Sequence, residues 1–117
     1  VLPDSRGNAD HPGKFADTAI PGMIAELDRL LQSQYRPRGR LVAKLFGGAS
    51  MFGAGTIAPG ALNVGQMNQD AVERILQTLR IPILARDLGG ASGRHLTFDI
   101  ASGLVVIKIP GGADYEL

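Results

Sequence analysis

The chain has 117 residues, of which 44% are hydrophobic and 20% are charged, and its formal net charge is +1. This composition fits one packed domain and argues against an extensively disordered chain. A charge so close to zero does not predict nucleic acid or an anionic membrane surface as a partner. No apolar run in the sequence approaches the roughly 20 residues of a membrane span, so we expect no membrane insertion. The absence of cysteine excludes disulfides within this chain and suits the cytoplasm, which is the predicted location.

The first predicted element is a helix that follows a stretch of turn residues. Residues 2–14 contain Pro-Asp-Ser, Gly-Asn and His-Pro-Gly, which are typical of turns. From Asp17 onward, apolar residues at spacings of three and four predict one apolar helix face. Asp17 or Thr18 is expected to cap this helix, and Pro21 is compatible only with its first turn. Val1-Leu2-Pro3 resembles the end of an apolar strand, so we expect that strands ahead of Val1 are missing.

The remaining elements predict an α+β domain. The order is helix, strand, helix and three further strands, without the regular alternation of a βαβ protein, and it favours helices packed on one face of a largely antiparallel sheet. Two glycine-rich loops follow strands, and Ala101-Ser102-Gly103 predicts a hairpin turn. The predicted elements after the first helix are a strand at 40–46, a helix at 66–80, and strands at 81–88, 94–99 and 104–109.

The first glycine loop, within KLFGGASMFGAG, fits no complete phosphate or nucleophile motif. Gly48 to Gly53 has the outer spacing of a P-loop, but Ala54-Gly55 stands where that motif needs Lys-Ser/Thr. A dinucleotide motif from Gly53 would need a helix, which Pro59-Gly60 opposes. Gly48-Ala-Ser-Met-Phe52 begins like a nucleophile elbow but lacks its closing glycine. Close packing of strands is therefore the simplest interpretation of this loop taken alone.

Four polar side chains carry alternative interpretations. His95, on the polar face of a predicted strand, and His11, in a loop, are each expected to be solvated, and their spacing predicts no metal site. Arg94 either binds an anion or pairs with Asp87, and the ion pair is favoured. Asn68 either caps the second helix or hydrogen-bonds the amide of a partner, and the cap is favoured.

Five motifs in order give the sequence a specific resemblance. LPDSRG, GKFADTAIPGMIAEL, AKLFGGASMF, NVGQMN and ARDLGGASGRHLTFDIASGLVVIK together resemble the CheD family, the chemoreceptor glutamine deamidases of bacterial chemotaxis, from Leu2 to about Lys108. The resemblance implies a three-layer α/β/β fold. It also implies a mechanism in which a Cys attacks a receptor glutamine, a His acts as general base and acid, and a Thr orients the His.

None of these three catalytic residues can be assigned on this chain. In the family, the Cys and Thr lie upstream of the LPDS segment, and the pattern His-x-x-Leu-Pro places the His just ahead of Val1. Neither His11 nor His95 occupies that position. We therefore expect this chain alone to be inactive, and we interpret residues 1–117 as one CheD-like domain that is incomplete at its N-terminus. The resemblance implies no metal and no cofactor.

The resemblance assigns the glycine loops to the walls of the deamidase cleft. The implied partner is the cytoplasmic domain of a chemoreceptor, with a CheC-type phosphatase as a further possible partner. The alternatives are a non-catalytic CheD-like module that binds the receptor or such a phosphatase, and an unrelated α+β domain that binds a small molecule. The predicted substrate-binding residues are Gly47, Gly48, Ala49, Ser50, Phe52, Gly89, Gly90 and Arg94.

Overall fold

A computed structural model describes residues 2–35, 39–49 and 63–117 of the chain. A short 3-10 turn at Pro12–Lys14 precedes the first helix, and the helices and strands follow the predicted order with one additional strand at the end. They are α1 (Ala16–Ser33), β1 (Ala43–Gly47), α2 (Val64–Thr78), β2 (Ile83–Leu88), β3 (His95–Phe98), β4 (Val105–Lys108) and β5 (Tyr115–Glu116).

The N-terminal turns are fixed to the beginning of α1 by Asp17. The backbone N–H and the hydroxyl of Ser5 both donate to its carboxylate, at 2.9 and 2.7 Å. These bonds satisfy Ser5, which is buried, and they lower the pKa of Asp17. The predicted capping role is wrong, because the N-cap is Phe15 and no side chain caps the helix. The Thr18 hydroxyl donates instead to the carbonyl oxygen of Pro12 at 2.6 Å.

Pro21 lies deeper in α1 than the sequence predicts. It is the sixth residue of the helix, beyond the first turn. Proline has no N–H, so it cannot make the bond to the carbonyl four residues earlier, that of Asp17. The helix nevertheless continues past Pro21 to Ser33.

The strands β1 and β2 form a parallel pair, which differs from the expected pattern. The register joins Phe46 to Asp87 and Gly47 to Leu88, and α2 connects the two strands in sequence. A parallel pair requires such a crossover connection, so β1, α2 and β2 form a βαβ unit. The predicted order of elements did not indicate this unit, because β2 is followed by strands alone and the regular alternation of a βαβ protein is absent.

The other three strands form a separate antiparallel sheet in the order β3-β4-β5. The predicted hairpin is confirmed, with Phe98 opposite Val105 and His95 opposite Lys108. The short strand β5 pairs Tyr115 with Ile107 on the other side of β4. The sequence analysis missed β5, whose ladder covers only two residues.

Side chains of the parallel pair reach both neighbouring layers. On one side, Arg86 donates to Glu73 of α2 at 2.9 Å. On the other side, the Lys44 ammonium donates to the carbonyl oxygens of Gly103 and Leu117, at 2.5 and 2.8 Å. The helices, the parallel pair and the antiparallel sheet therefore form three successive layers. The α+β class is confirmed. Among the described residues, the strands form a parallel pair and an antiparallel sheet of three strands.

The antiparallel sheet buries its apolar face unevenly. Val105 and Ile107 of the central strand β4 are buried. Their partners on β3 point to the same side of the sheet, yet Leu96 is 42% exposed and Phe98 is 62% exposed. Among the described residues, the apolar side of β3 thus has no covering layer comparable to that over β4.

No helix in the described ranges is both long enough and apolar enough to cross a membrane.

Candidate functional site

The two predicted glycine loops meet at one edge of the molecule. Because β1 and β2 are parallel, their carboxyl ends lie side by side, and the N–H of Gly89 donates to the carbonyl oxygen of Gly47 at 2.8 Å. Gly47, Gly48, Gly89 and Gly90 all have positive φ values, from 66° to 120°, a region that residues with a side chain rarely adopt. In open α/β sheets, ligands bind outside the carboxyl ends of parallel strands, so this edge is the candidate site.

Helix α2 is the element that comes close to the first glycine loop. A Cβ atom at Gly48 would lie 2.2 Å from Nε2 of Gln69, and one at Gly65 would lie 2.7 Å from the carbonyl oxygen of Gly48. Asn63 caps the helix beside this contact by accepting from the N–H of Gln66 at 3.1 Å. The small residues at 48 and 65 therefore allow the first turn of α2 to pack directly on the loop.

We expect Gly65→Ala to destabilise the protein, although alanine normally favours a helix. Its Cβ would meet a backbone atom, which cannot move aside as a side-chain tip can, and overpacking of this kind costs about 1–3 kcal/mol. Gly22→Ala is the matched control, because Gly22 lies in α1 with no atom within 4 Å of its added Cβ. That substitution should stabilise by about 0.5–1 kcal/mol. Urea denaturation of the full-length variants measures both effects, and equal shifts in the same direction would contradict the close contact.

Arg94 is held behind the second glycine loop by a network of polar contacts. Its guanidinium donates to both carboxylate oxygens of Asp87, at 3.0 and 2.9 Å, and to the carbonyl oxygen of Gly89 at 2.8 Å. The hydroxyl of Tyr115 donates to the same carboxylate. The side chains of Arg94 and Asp87 are only 8% and 17% exposed. The favoured ion-pair interpretation is confirmed. The pair joins the end of β2 to the residue before β3, and the Tyr115 hydroxyl joins β5 to the same carboxylate.

The network changes the acid–base properties of its members. The Arg94 guanidinium, and then the Tyr115 hydroxyl, lower the pKa of Asp87 below its ordinary value of 3.8. The carboxylate in turn raises the pKa of Tyr115. Because the pKa of Asp87 is lower in the folded protein than in the unfolded chain, its contribution to stability is complete above the ordinary value. That contribution is lost as the pH falls through the folded value.

We expect Asp87→Asn to destabilise the full-length protein by about 3 kcal/mol at neutral pH, because it leaves the buried Arg94 charge without its counter-ion. The difference from the wild type should shrink as the pH falls from 3.8 through the lower pKa that Asp87 has in the folded protein, because the wild-type carboxylate then becomes protonated too. Asp114→Asn is the control, since its ion pair with Lys108 is exposed and should contribute less than about 1 kcal/mol. A difference that stays constant with pH would contradict the role of the Asp87 charge.

Asn68 does not cap α2, so the favoured interpretation of this residue is wrong. It is the fifth residue of the helix, and the cap is Asn63. Asn68 instead lines a cavity of about 130 Å³ together with Gly48 and Leu88. Its Oδ1 atom is fully buried and has no hydrogen-bond partner among the described residues. Buried polar atoms are nearly always paired, so this oxygen is unusual.

Of the other residues that the sequence analysis singled out, some lie at the glycine loops, some are exposed elsewhere, and two are outside the described residues. Ala49 follows Gly48 and is half-buried, whereas Ser50 and Phe52 lie outside the described residues. His95 is exposed opposite Lys108, and His11 is an exposed loop residue with a φ of 58°. Within the ranges that the structure describes, no group of three or more His, Cys, Asp or Glu residues could hold a metal ion. The two loops thus lie side by side, while both histidines are exposed.

Sequence reasoning missed Tyr115 and Lys44, which join the two sheets. Tyr115 follows the last quoted motif, and nothing in Ala-Asp-Tyr-Glu-Leu predicts a strand or a buried partner. Lys44 is a charged residue within an otherwise apolar strand, and this contrast is the feature of the sequence that could have indicated its role. A lysine in a half-buried strand needs acceptors, and carbonyl oxygens of the neighbouring layer provide them.

Comparison with known proteins matches this chain along almost its whole length. The family described as CheD chemotactic sensory transduction matches residues 1–109. A probable chemoreceptor glutamine deamidase CheD from Desulforamulus reducens is 49% identical over 95% of this chain and 65% of its own length. The chemoreceptor glutamine deamidase CheD of Thermotoga maritima is 39% identical over 100% of this chain and 69% of its own length. The chain thus spans about two thirds of the length of these relatives, and it belongs to the CheD family.

Proposed function

We propose that the protein to which this chain belongs is a glutamine deamidase that converts glutamine side chains of a chemoreceptor to glutamate. The observation that carries this proposal is the similarity to relatives named chemoreceptor glutamine deamidase, at 39% and 49% identity over 95% or more of the chain. The proposed substrate is the cytoplasmic domain of the receptor, and the proposed location is therefore the cytoplasm. A CheC-type phosphatase is proposed as a second partner on the family resemblance alone.

The chemistry divides the proposed site into two parts. Amide hydrolysis by covalent catalysis needs a nucleophile beside a base, and it needs donors for the developing oxyanion. The chain has no cysteine, so the nucleophile implied by the resemblance must come from elsewhere. We propose that the loops at Gly47–Ala49 and Gly89–Gly90 form walls of the cleft, where a substrate segment passes close to the backbone. Arg94 supports the second wall through its bond to the carbonyl oxygen of Gly89.

The second candidate function rests on the family resemblance alone. The same walls would suit a non-catalytic CheD-like module that binds the receptor without changing it. The two candidates share the receptor as partner and differ only in chemistry. An activity measurement therefore separates them more directly than a binding measurement.

The test is incubation of the full-length protein with a purified cytoplasmic fragment of a chemoreceptor, followed by peptide mass spectrometry of its glutamines. We expect Gln-to-Glu conversion by the full-length protein and none by the 117-residue chain alone, since the chain offers no thiolate. Binding of the fragment without any conversion would support the non-catalytic module. Conversion by the 117-residue chain alone would contradict the proposed division of the site.

Ala49→Leu in the full-length protein should reduce deamidation at least tenfold, which corresponds to a loss of about 1.4 kcal/mol of transition-state stabilisation. A bulky side chain directly after Gly48 would narrow the proposed cleft. The melting temperature should change little if residue 49 faces the cleft. Ala101→Leu is the matched control, because Ala101 is exposed in the turn between β3 and β4, and its activity should equal that of the wild type. Unfolding of Ala49→Leu with full activity of the remaining folded protein would make Ala49 a packing residue.

A further inference from the structure

The ion pair of Asp87 and Arg94 ends in a contact that fixes one peptide group of the second glycine loop. The Nη2 atom of Arg94 donates both to Asp87 Oδ1 and to the carbonyl oxygen of Gly89, at 2.9 and 2.8 Å. The Nε atom donates to the other carboxylate oxygen at 3.0 Å. Because the guanidinium is planar and its donors have fixed directions, the edge held by the carboxylate also directs Nη2 at Gly89.

Tyr115 holds the carboxylate at the other end of this series of contacts. Its hydroxyl donates to Asp87 Oδ2, the same oxygen that accepts from Arg94 Nε. A carboxylate held from two sides rotates less freely about its side-chain bonds than one held by the guanidinium alone. Hydrogen bonds therefore run without interruption from β5, through the end of β2, to the carbonyl group of Gly89.

The direction of the Gly89 carbonyl group also sets the direction of the next N–H group. The peptide bond between Gly89 and Gly90 is trans, so the N–H of Gly90 points opposite to the carbonyl oxygen. Because that oxygen faces the guanidinium behind the loop, the N–H points away from the guanidinium. Gly90 is exposed, and within the described ranges its N–H has no backbone acceptor.

The surroundings of this N–H favour the main chain of another segment as its partner. Gly89 and Gly90 have no side chains, and an added Cβ at Gly89 would meet no described atom within 4 Å, so a second backbone can approach closely. Residues 89–93 carry no ionisable side chain, and the charges of Asp87 and Arg94 compensate each other. The loop thus has no charge that selects a carboxylate, whereas every residue of a peptide segment offers a carbonyl oxygen.

We propose that the N–H of Gly90 donates a hydrogen bond to a main-chain carbonyl oxygen of the protein substrate. Tyr115 is a positioning residue for this contact, because it acts on the loop through Asp87 and Arg94. This inference rests on the proposed deamidase function and adds the atom that holds the substrate segment on the second wall. A main-chain contact does not touch the reacting amide, so its loss should raise KM and leave kcat nearly unchanged.

The first test is Tyr115→Phe in the full-length protein. Phenylalanine keeps the ring and removes only the hydroxyl, so the protein should fold, while KM for the receptor fragment should rise about threefold. Tyr35→Phe is the matched control, because Tyr35 is 98% exposed, and its KM and kcat should equal those of the wild type. An unchanged KM for Tyr115→Phe in a protein that deamidates the receptor would overturn the inference and leave the proposed function intact.

The second test is Arg94→Lys, also in the full-length protein. Lysine keeps a positive charge beside Asp87 but lacks the planar fork, so the carbonyl group of Gly89 loses its fixed direction and KM should rise about tenfold. Arg86→Lys is the matched control, since Arg86 pairs with Glu73 through a half-exposed side chain, and its KM should not change. A lower melting temperature for Arg94→Lys with an unchanged KM would make the ion pair purely structural and overturn the inference.

A third measurement needs no catalysis and follows the N–H of Gly90 itself. Hydrogen–deuterium exchange of the full-length protein, resolved to single amides, should be fast at Gly90 and should slow when the receptor fragment is added in excess. The slowing should be weaker in Tyr115→Phe and Arg94→Lys than in the two control variants. Binding of the fragment without slower exchange at Gly90 would overturn the inference. Slower exchange at Gly90 in a protein that never deamidates the fragment would support the main-chain contact and contradict the proposed deamidase function.

Discussion

Parallel hydrogen bonding between β1 and β2 is the constraint on which the rest of the structure depends. It requires the long crossover that contains α2, and it places both strand ends at one edge. The glycine loops meet there, and α2 can pack on the first of them because Gly48 and Gly65 carry no side chain. The antiparallel sheet is joined to the other face of the pair through Lys44 and Asp87. The candidate site is thus a consequence of strand direction.

Local elements could be predicted from the sequence because each depends on neighbouring residues. The apolar periodicity gave α1 and α2 nearly their observed limits, and the Ala101-Ser102-Gly103 turn predicted the hairpin of β3 and β4. Strand partners are a different problem, since they join residues distant in sequence. Nothing within residues 40–46 distinguishes a strand that pairs in parallel with β2 from one that pairs in the antiparallel direction. The parallel pairing of β1 and β2 was missed for this reason.

The errors within helices share a physical cause, which is competition for polar side chains. Asp17 has the chemistry of a cap, but the N–H and hydroxyl of Ser5 already occupy its carboxylate. Asn63 and Asn68 are both suited to capping, and Asn63 takes this role because α2 begins directly after it. The unpaired oxygen of Asn68 could not be predicted, because it depends on which side chains surround it. Residue type limited the possible roles, and tertiary contacts selected among them.

The contact between Tyr115 and Asp87 gives the protein a built-in optical probe of its layered structure. The chain contains no tryptophan and two tyrosines, so its near-ultraviolet signal comes chiefly from two phenol rings. Tyr35 is 98% exposed, while the Tyr115 hydroxyl donates to a carboxylate of the neighbouring sheet. Separation of the two sheets would change the surroundings of Tyr115 and leave those of Tyr35 as an internal reference. The order in which the layers part during unfolding is therefore open to measurement by absorbance or fluorescence, without any added label.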